Sequence, residues 1–279
     1  MRLKDEINEK GIVKLNIYFL LPMLAFWGLM SKKIDLSIVK IPLLYLFITF
    51  IAFFISSFVA KRFFTDKKDI SIVSMASITG ITGSIGIPLG ITLFSQHSVI
   101  YTSLINTVSM IFVYTFGVYI YSRGSFSIAR SFVNVFKMPI VWASIIAIIL
   151  NLSNIEMNTS LFKALKMGAY ASIVLQLVIF GIFLYETKIK EINLSILNTV
   201  LSLKFIIVPF IAYIILHFFK LSHIELHTLL LELIVPLAIT NISLSSLFEC
   251  KPKIVTSLVF ISSLVFVPYA IVLVYILKL

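Results

Sequence analysis

Long apolar runs separated by short polar loops dominate the chain. Ile41–Ala60 and Ile254–Leu277 each reach the roughly 20 residues that carry a helix across a bilayer. The pattern predicts nine such segments, at 12–30, 41–60, 71–95, 98–121, 134–152, 160–185, 197–218, 227–248 and 254–277. Two of them carry helix breakers at bilayer depth. One holds Gly80-Ile-Thr-Gly-Ser-Ile-Gly-Ile-Pro-Leu-Gly90, a proline among four glycines; the other holds Leu233-Ile-Val-Pro-Leu-Ala-Ile-Thr-Asn241. Interrupted backbone inside a membrane is tolerated where it is buried in protein or lines a cavity, and a pair of interrupted spans in the two halves of a chain points to a transporter site. The expectation is an all-α integral membrane protein of about nine transmembrane helices, two of them broken, working as a secondary carrier.

Composition supports the membrane reading. The 279 residues are 60% hydrophobic and only 13% charged, with a mean hydropathy of +1.09; a soluble domain carries about 25% charged residues. A net charge of +11 raises the question of nucleic acid, but the basic residues fall in short interhelical loops instead of on one face, so no nucleic-acid partner is expected. Their distribution orients the chain. Arg2, Lys4, Lys10, Lys14, Lys61, Arg62, Lys67, Lys68, Arg123, Arg130, Lys137, Lys188, Lys190, Lys251 and Lys253 share one side, against Lys32, Lys33, Lys40, Lys220 and Lys278 on the other. Positive-inside bias then places the N-terminus in the cytoplasm and the C-terminus outside, in a multi-pass protein of the cell membrane. No cleavable signal is visible, because Met1–Lys14 is polar and the apolar segment after it lacks a small-residue cleavage site.

The chemistry expected at the breaks is anion binding. A helix that restarts at a break presents unsatisfied N–H groups and about half a positive charge, which can hold a carboxylate without a buried arginine. Gly83 and Gly86 allow close backbone approach, Pro88 and Pro236 each remove an intrahelical bond, and Thr79, Thr82, Ser84, Thr240, Asn241 and Ser243 offer side-chain hydrogen bonds. The competing account of the glycines is close helix packing, which can operate together with binding. Glu232, four residues before Pro236, is the only carboxylate well inside a predicted span and the candidate for proton coupling; the alternative is that it faces interfacial water. Lys163, Lys166 and Lys204 are expected to snorkel to the interface. Asn106, Gln176 and Asn198 read as interhelical amides, with Asn106 also placed to line the cavity. Metals and cofactors are not expected: Cys250 is alone, and His97, His217, His223 and His227 are dispersed, although His223 and His227 stand at i, i+4. No catalytic constellation is visible, so an enzyme is not expected. Besides the carrier, two readings stay open: a channel, and a membrane sensor or partner protein descended from a carrier.

Several stretches together resemble the auxin efflux carrier family, which includes bacterial malate and malonate permeases. Lys14-Leu-Asn-Ile-Tyr-Phe-Leu-Leu-Pro-Met-Leu24 is similar to the family's second span, Gly80–Leu89 to its broken fourth, Leu104–Gly117 to its fifth, Phe136–Pro139 to the entry of its sixth, and Pro236–Asn241 to the break of its ninth. The resemblance implies two inverted five-helix repeats whose broken helices cross at midplane and move against a scaffold half, a small organic anion as substrate, a proton or sodium ion as coupling ion, and a homodimer through scaffold helices. On this alignment 1–11 is a cytoplasmic tail, 12–121 a first repeat of four spans in which the family's first span has no counterpart, 122–133 a cytoplasmic loop, and 134–279 a second repeat of five. Two positions depart from the family pattern: Ile81 stands where an asparagine is common, and Asn106 where an acid is frequent.

Overall fold

The computed structural model describes residues 8–31, 39–186 and 193–277. Of the basic residues used for orientation, Arg2, Lys4, Lys32, Lys33, Lys188, Lys190 and Lys278 lie outside the described residues. Among the described residues there are twelve helices besides a 3-10 turn at Gln96–Ser98: α1 (Glu9–Met30), α2 (Lys40–Phe63), α3 (Lys67–Ala76), α4 (Thr82–Phe94), α5 (Val99–Arg123), α6 (Ile128–Phe136), α7 (Pro139–Leu152), α8 (Thr159–Glu186), α9 (Leu194–His217), α10 (His223–Ile234), α11 (Thr240–Leu247) and α12 (Pro252–Leu277). Among the described residues six are long and apolar enough to cross a membrane alone, and α6 with α7, bent by 52° to one another, supplies a seventh crossing if taken as one span. The stretch expected as a loop at 122–133 is therefore partly helical.

The remaining two expected spans, 71–95 and 227–248, are the interrupted ones, and the structure shows both breaks. Helix α3 ends at Ala76 and α4 starts at Thr82; α10 ends at Ile234 and α11 starts at Thr240. Each first half is well capped. The Asp66 carboxylate accepts from the Lys68 N–H (2.9 Å) at the start of α3. Ser222 and Glu225 form a reciprocal capping box at the start of α10. These halves are also wrapped on all sides: every residue from Ser71 to Gly80 and from Thr228 to Ala238 is buried. A helix apolar around its whole circumference belongs in the middle of a bundle, and here it is the broken pair that occupies the middle.

Around that centre, α1 packs between α7 and α8. Asn151 donates to the Leu29 carbonyl (2.8 Å), and Ser172 donates to Asn16 Oδ1 (2.8 Å). Helices α2, α5 and α9 pack against the broken pair directly. Four helices contain a π-turn, and three of these turns end two residues before a proline: Asn16–Leu20 before Pro22, Thr82–Gly86 before Pro88 and Leu203–Ile207 before Pro209. Proline lacks an N–H and its ring presses on the carbonyl four residues back; widening the preceding turn to i→i+5 bonding relieves that clash without ending the helix.

Candidate functional site

The two breaks meet. Gly80 and Leu237 form an antiparallel bridge. The Ile81 N–H donates to the Pro236 carbonyl at 2.9 Å, and the Ala238 N–H to the Thr79 carbonyl at 3.3 Å. Backbone groups freed from one helix are thus satisfied by those freed from the other, which solves for both the problem of an open main chain in an apolar interior. Asn241 locks the crossing. Its Nδ2 donates to Thr79 Oγ1 (2.8 Å) and to the Ala238 carbonyl (3.0 Å), while its Oδ1 accepts from the Tyr121 hydroxyl (3.1 Å). Ser262 of α12 accepts from the Leu237 N–H (3.1 Å). Gly80 is required by closeness: a Cβ there would come within 2.6 Å of Val235 Cγ2 and 3.2 Å of the Val235 carbonyl oxygen.

The expected site residues divide into four groups. Thr79, Pro236 and Asn241 build the crossing itself. Thr82 and Gly83 face α5, where Thr82 donates to Asn106 Oδ1 (2.8 Å) and a Cβ on Gly83 would strike that same oxygen at 2.8 Å. Thr240 and Ser243, on the first turn of α11, have buried hydroxyl oxygens with no hydrogen-bond partner among the described residues. Ser84 and Pro88 are exposed on α4 and do not join the crossing. The first break therefore lies at Ser77–Ile81, upstream of Pro88, because the π-turn Thr82–Gly86 absorbs the proline within a continuing helix.

Glu232 is fully buried, and neither carboxylate oxygen has a hydrogen-bond partner among the described residues. It does not face interfacial water. Its carboxylate lies directly against Gly86, where only the absence of a side chain leaves room. One residue of this neighbourhood escaped the sequence reading. Lys204, expected to snorkel, is 1% exposed, and a Cβ on Gly80 would stand 3.2 Å from its Nζ. The π-turn Leu203–Ile207 before Pro209 turns this lysine inward instead of toward the interface. A lysine five residues before an intramembrane proline was the available signal. Lys163 and Lys166, by contrast, are exposed as expected.

The two ends of the crossing differ. At one end Lys251, in the turn between α11 and α12, reaches both Asp66 Oδ2 and Asp69 Oδ1 at 2.6 Å. Ser125 donates to the Phe248 carbonyl (2.7 Å), and the Cys250 thiol lies 3.2 Å from the Tyr121 carbonyl. At the other end a cavity of about 600 Å³ opens between the end of α4 (Ile91–Ser95) and His223 and Ile224 of α10. The His223 ring lies 3.9 Å, centroid to centroid, from that of His227 and is tilted by 40° to it, and His227 Nδ1 is 2.7 Å from the His223 carbonyl.

A family profile described as membrane transport protein matches residues 3–133 and 125–275, nearly the whole chain. The chain belongs to that family, the one that holds the auxin efflux carriers. The transporter is thus a multi-pass membrane protein of a family of carriers and not of enzymes. No curated protein matches it.

Proposed function

We propose that the transporter is a secondary carrier for a small organic anion, a carboxylate, held where the two broken helices cross and exposed alternately to each side of the cell membrane. The observation that carries this reading is the antiparallel pairing of Thr79–Ile81 with Pro236–Ala238. Because of it, two helices begin at the crossing, α4 one residue after Ile81 and α11 two residues after Ala238. Each contributes the partial positive charge of a helix start, although in α11 the Asn241 and Ile242 N–H groups are already bonded to the Ala238 and Ile239 carbonyls. The lengths also suit a midplane site: at 1.5 Å per residue, α3 and α4 extend about 15 and 20 Å from the crossing, against an apolar core of roughly 30 Å.

In the orientation that positive-inside bias gives, the conformation described is latched at the cytoplasmic Lys251 end and has a recess at the outer end, between Ile91–Ser95 and His223. Alternating access would release the first and close the second. The test is uptake of radiolabelled malate and malonate by proteoliposomes containing the purified protein. Saturable flux that unlabelled acid competes away supports the carrier; binding of these acids without flux identifies a sensor, and unsaturable flux a channel.

A further inference from the structure

Two ionisable side chains of opposite type, Lys204 and Glu232, are buried beside the crossing without forming an ion pair. Lys204 is 1% exposed and Glu232 0%. They form no ion pair within 4 Å, unlike Lys251 with Asp66 and Asp69. They bracket the start of α4, with the ammonium against Gly80 and the carboxylate against Gly86. Uncompensated charge in an apolar interior is costly. Two such groups, one at each end of the first turn of α4, suit a third charged group bound at that helix start.

We propose that Lys204 is the cationic anchor for the substrate carboxylate, and that Glu232 is the charge the substrate replaces. This rests on the carrier reading and deepens it. In the empty site the ammonium and the Glu232 carboxylate balance one another. When a substrate carboxylate takes the ammonium, Glu232 is left uncompensated and binds one proton from the water on the open side. A diacid such as malate or malonate enters as its monoanion, so the loaded site holds one ammonium, one ionised substrate carboxylate and one neutral Glu232, and its charge equals that of the empty site. Release on the far side runs in reverse: the anion leaves, the proton leaves with it, and the Glu232 carboxylate again balances Lys204. One proton therefore accompanies each substrate molecule. The titratable groups facing Glu232 are Lys204 from α9 and Tyr45 from α2, whose hydroxyl donates to Ser109 (3.3 Å); His227, on the same helix, is engaged with the His223 carbonyl.

Two measurements test this. The first needs no substrate: thermal melting in detergent of the wild type, Lys204→Met, Glu232→Gln and the double variant. Each single change strands one buried charge and lowers the melting temperature; the double variant melts higher than the two losses combined would give. Simply additive losses overturn the pairing. The second uses proteoliposomes with a pH dye inside and radiolabelled malate or malonate outside. The wild type is expected to carry inward, per labelled molecule, one proton on Glu232 besides the one that makes each diacid a monoanion. Lys204→Met weakens uptake roughly tenfold to a hundredfold, as loss of a charge-assisted hydrogen bond implies, and Lys204→Arg retains it. Glu232→Gln keeps exchange of labelled for unlabelled acid but loses net acid-driven accumulation, because its empty site returns with an unbalanced ammonium. Full uptake in Lys204→Met, or the wild-type number of protons per molecule in Glu232→Gln, overturns the proposal. Absence of wild-type flux with both acids overturns instead the carrier reading for them, while the melting series still decides whether the two charges are paired.

Discussion

At the scale of single residues, two glycines of one motif do different work. A Cβ on Gly80 meets Val235, whose β-branched side chain and carbonyl have little room to retreat, so Gly80→Ala should loosen the crossing and lower the melting temperature of the purified protein. A Cβ on Gly86 meets only the end of the flexible Glu232 side chain. Gly86→Ala should therefore leave melting near the wild-type value while displacing the carboxylate and altering the pH dependence of uptake. Asn241 makes three hydrogen bonds at the crossing and is fully buried. Asn241→Ala leaves Thr79 and the Tyr121 hydroxyl without that partner and should cost about 1–3 kcal/mol, measured by denaturant or thermal unfolding. The asparagine was legible as a polar residue beside Pro236. Its use as a clamp between halves, more than as a ligand for solute, depends on Thr79 and Tyr121 arriving from elsewhere in the chain.

At the scale of elements, the turn between α11 and α12 fastens the broken helices to one another. Lys251 joins the start of α3, through Asp66 and Asp69, to the end of α11. The Lys251 ammonium and the Lys68 N–H hold the Asp66 carboxyl below the usual carboxylate range. A group with a lowered value contributes its stability above the ordinary carboxylate pKa and loses it as pH falls through the lowered one. The latch should accordingly be level across neutral pH, failing under acid as Asp66 protonates and again only in strong alkali, as the Lys251 ammonium, held above the ordinary lysine value, loses its proton. The lone Cys250 next to it is a built-in reporter: it is buried, and desolvation pushes its thiol up to about 11. Alkylation of Cys250 by a maleimide at pH 7.5, chosen near neutrality where the latch is level (about the middle of the range), should be slow in the wild type and several-fold faster in Lys251→Ala. Equal rates would show that this end opens without the latch. The same scale explains the π-turns. Each of Pro22, Pro88 and Pro209 could be seen in the sequence, but whether a proline breaks a helix or is absorbed by a wider turn depends on what the loosened turn packs against.

At the scale of the whole molecule, the remaining prediction is orientation. Reporter fusions or impermeant thiol reagents applied to single cysteines placed at Lys67 and Lys220 should report the first as cytoplasmic and the second as external. The converse result would reverse the assignment of the latched and hollow ends. Local sequence determined that the chain is a helical membrane protein with two interrupted spans, because span length, glycine and proline content and the exclusion of open backbone from lipid are local properties; it placed the second break at 233–241 but drew the first toward Pro88, when it lies at Ser77–Ile81. What local sequence does not contain is which freed backbone groups find each other. The pairing of Thr79–Ile81 with Pro236–Ala238 joins residues more than half the chain apart. The inward turn of Lys204 and the room for Glu232 against Gly86 follow from that meeting. Only the folded bundle decides them, because a buried charge or an unpaired peptide group is tolerated solely by what surrounds it in space.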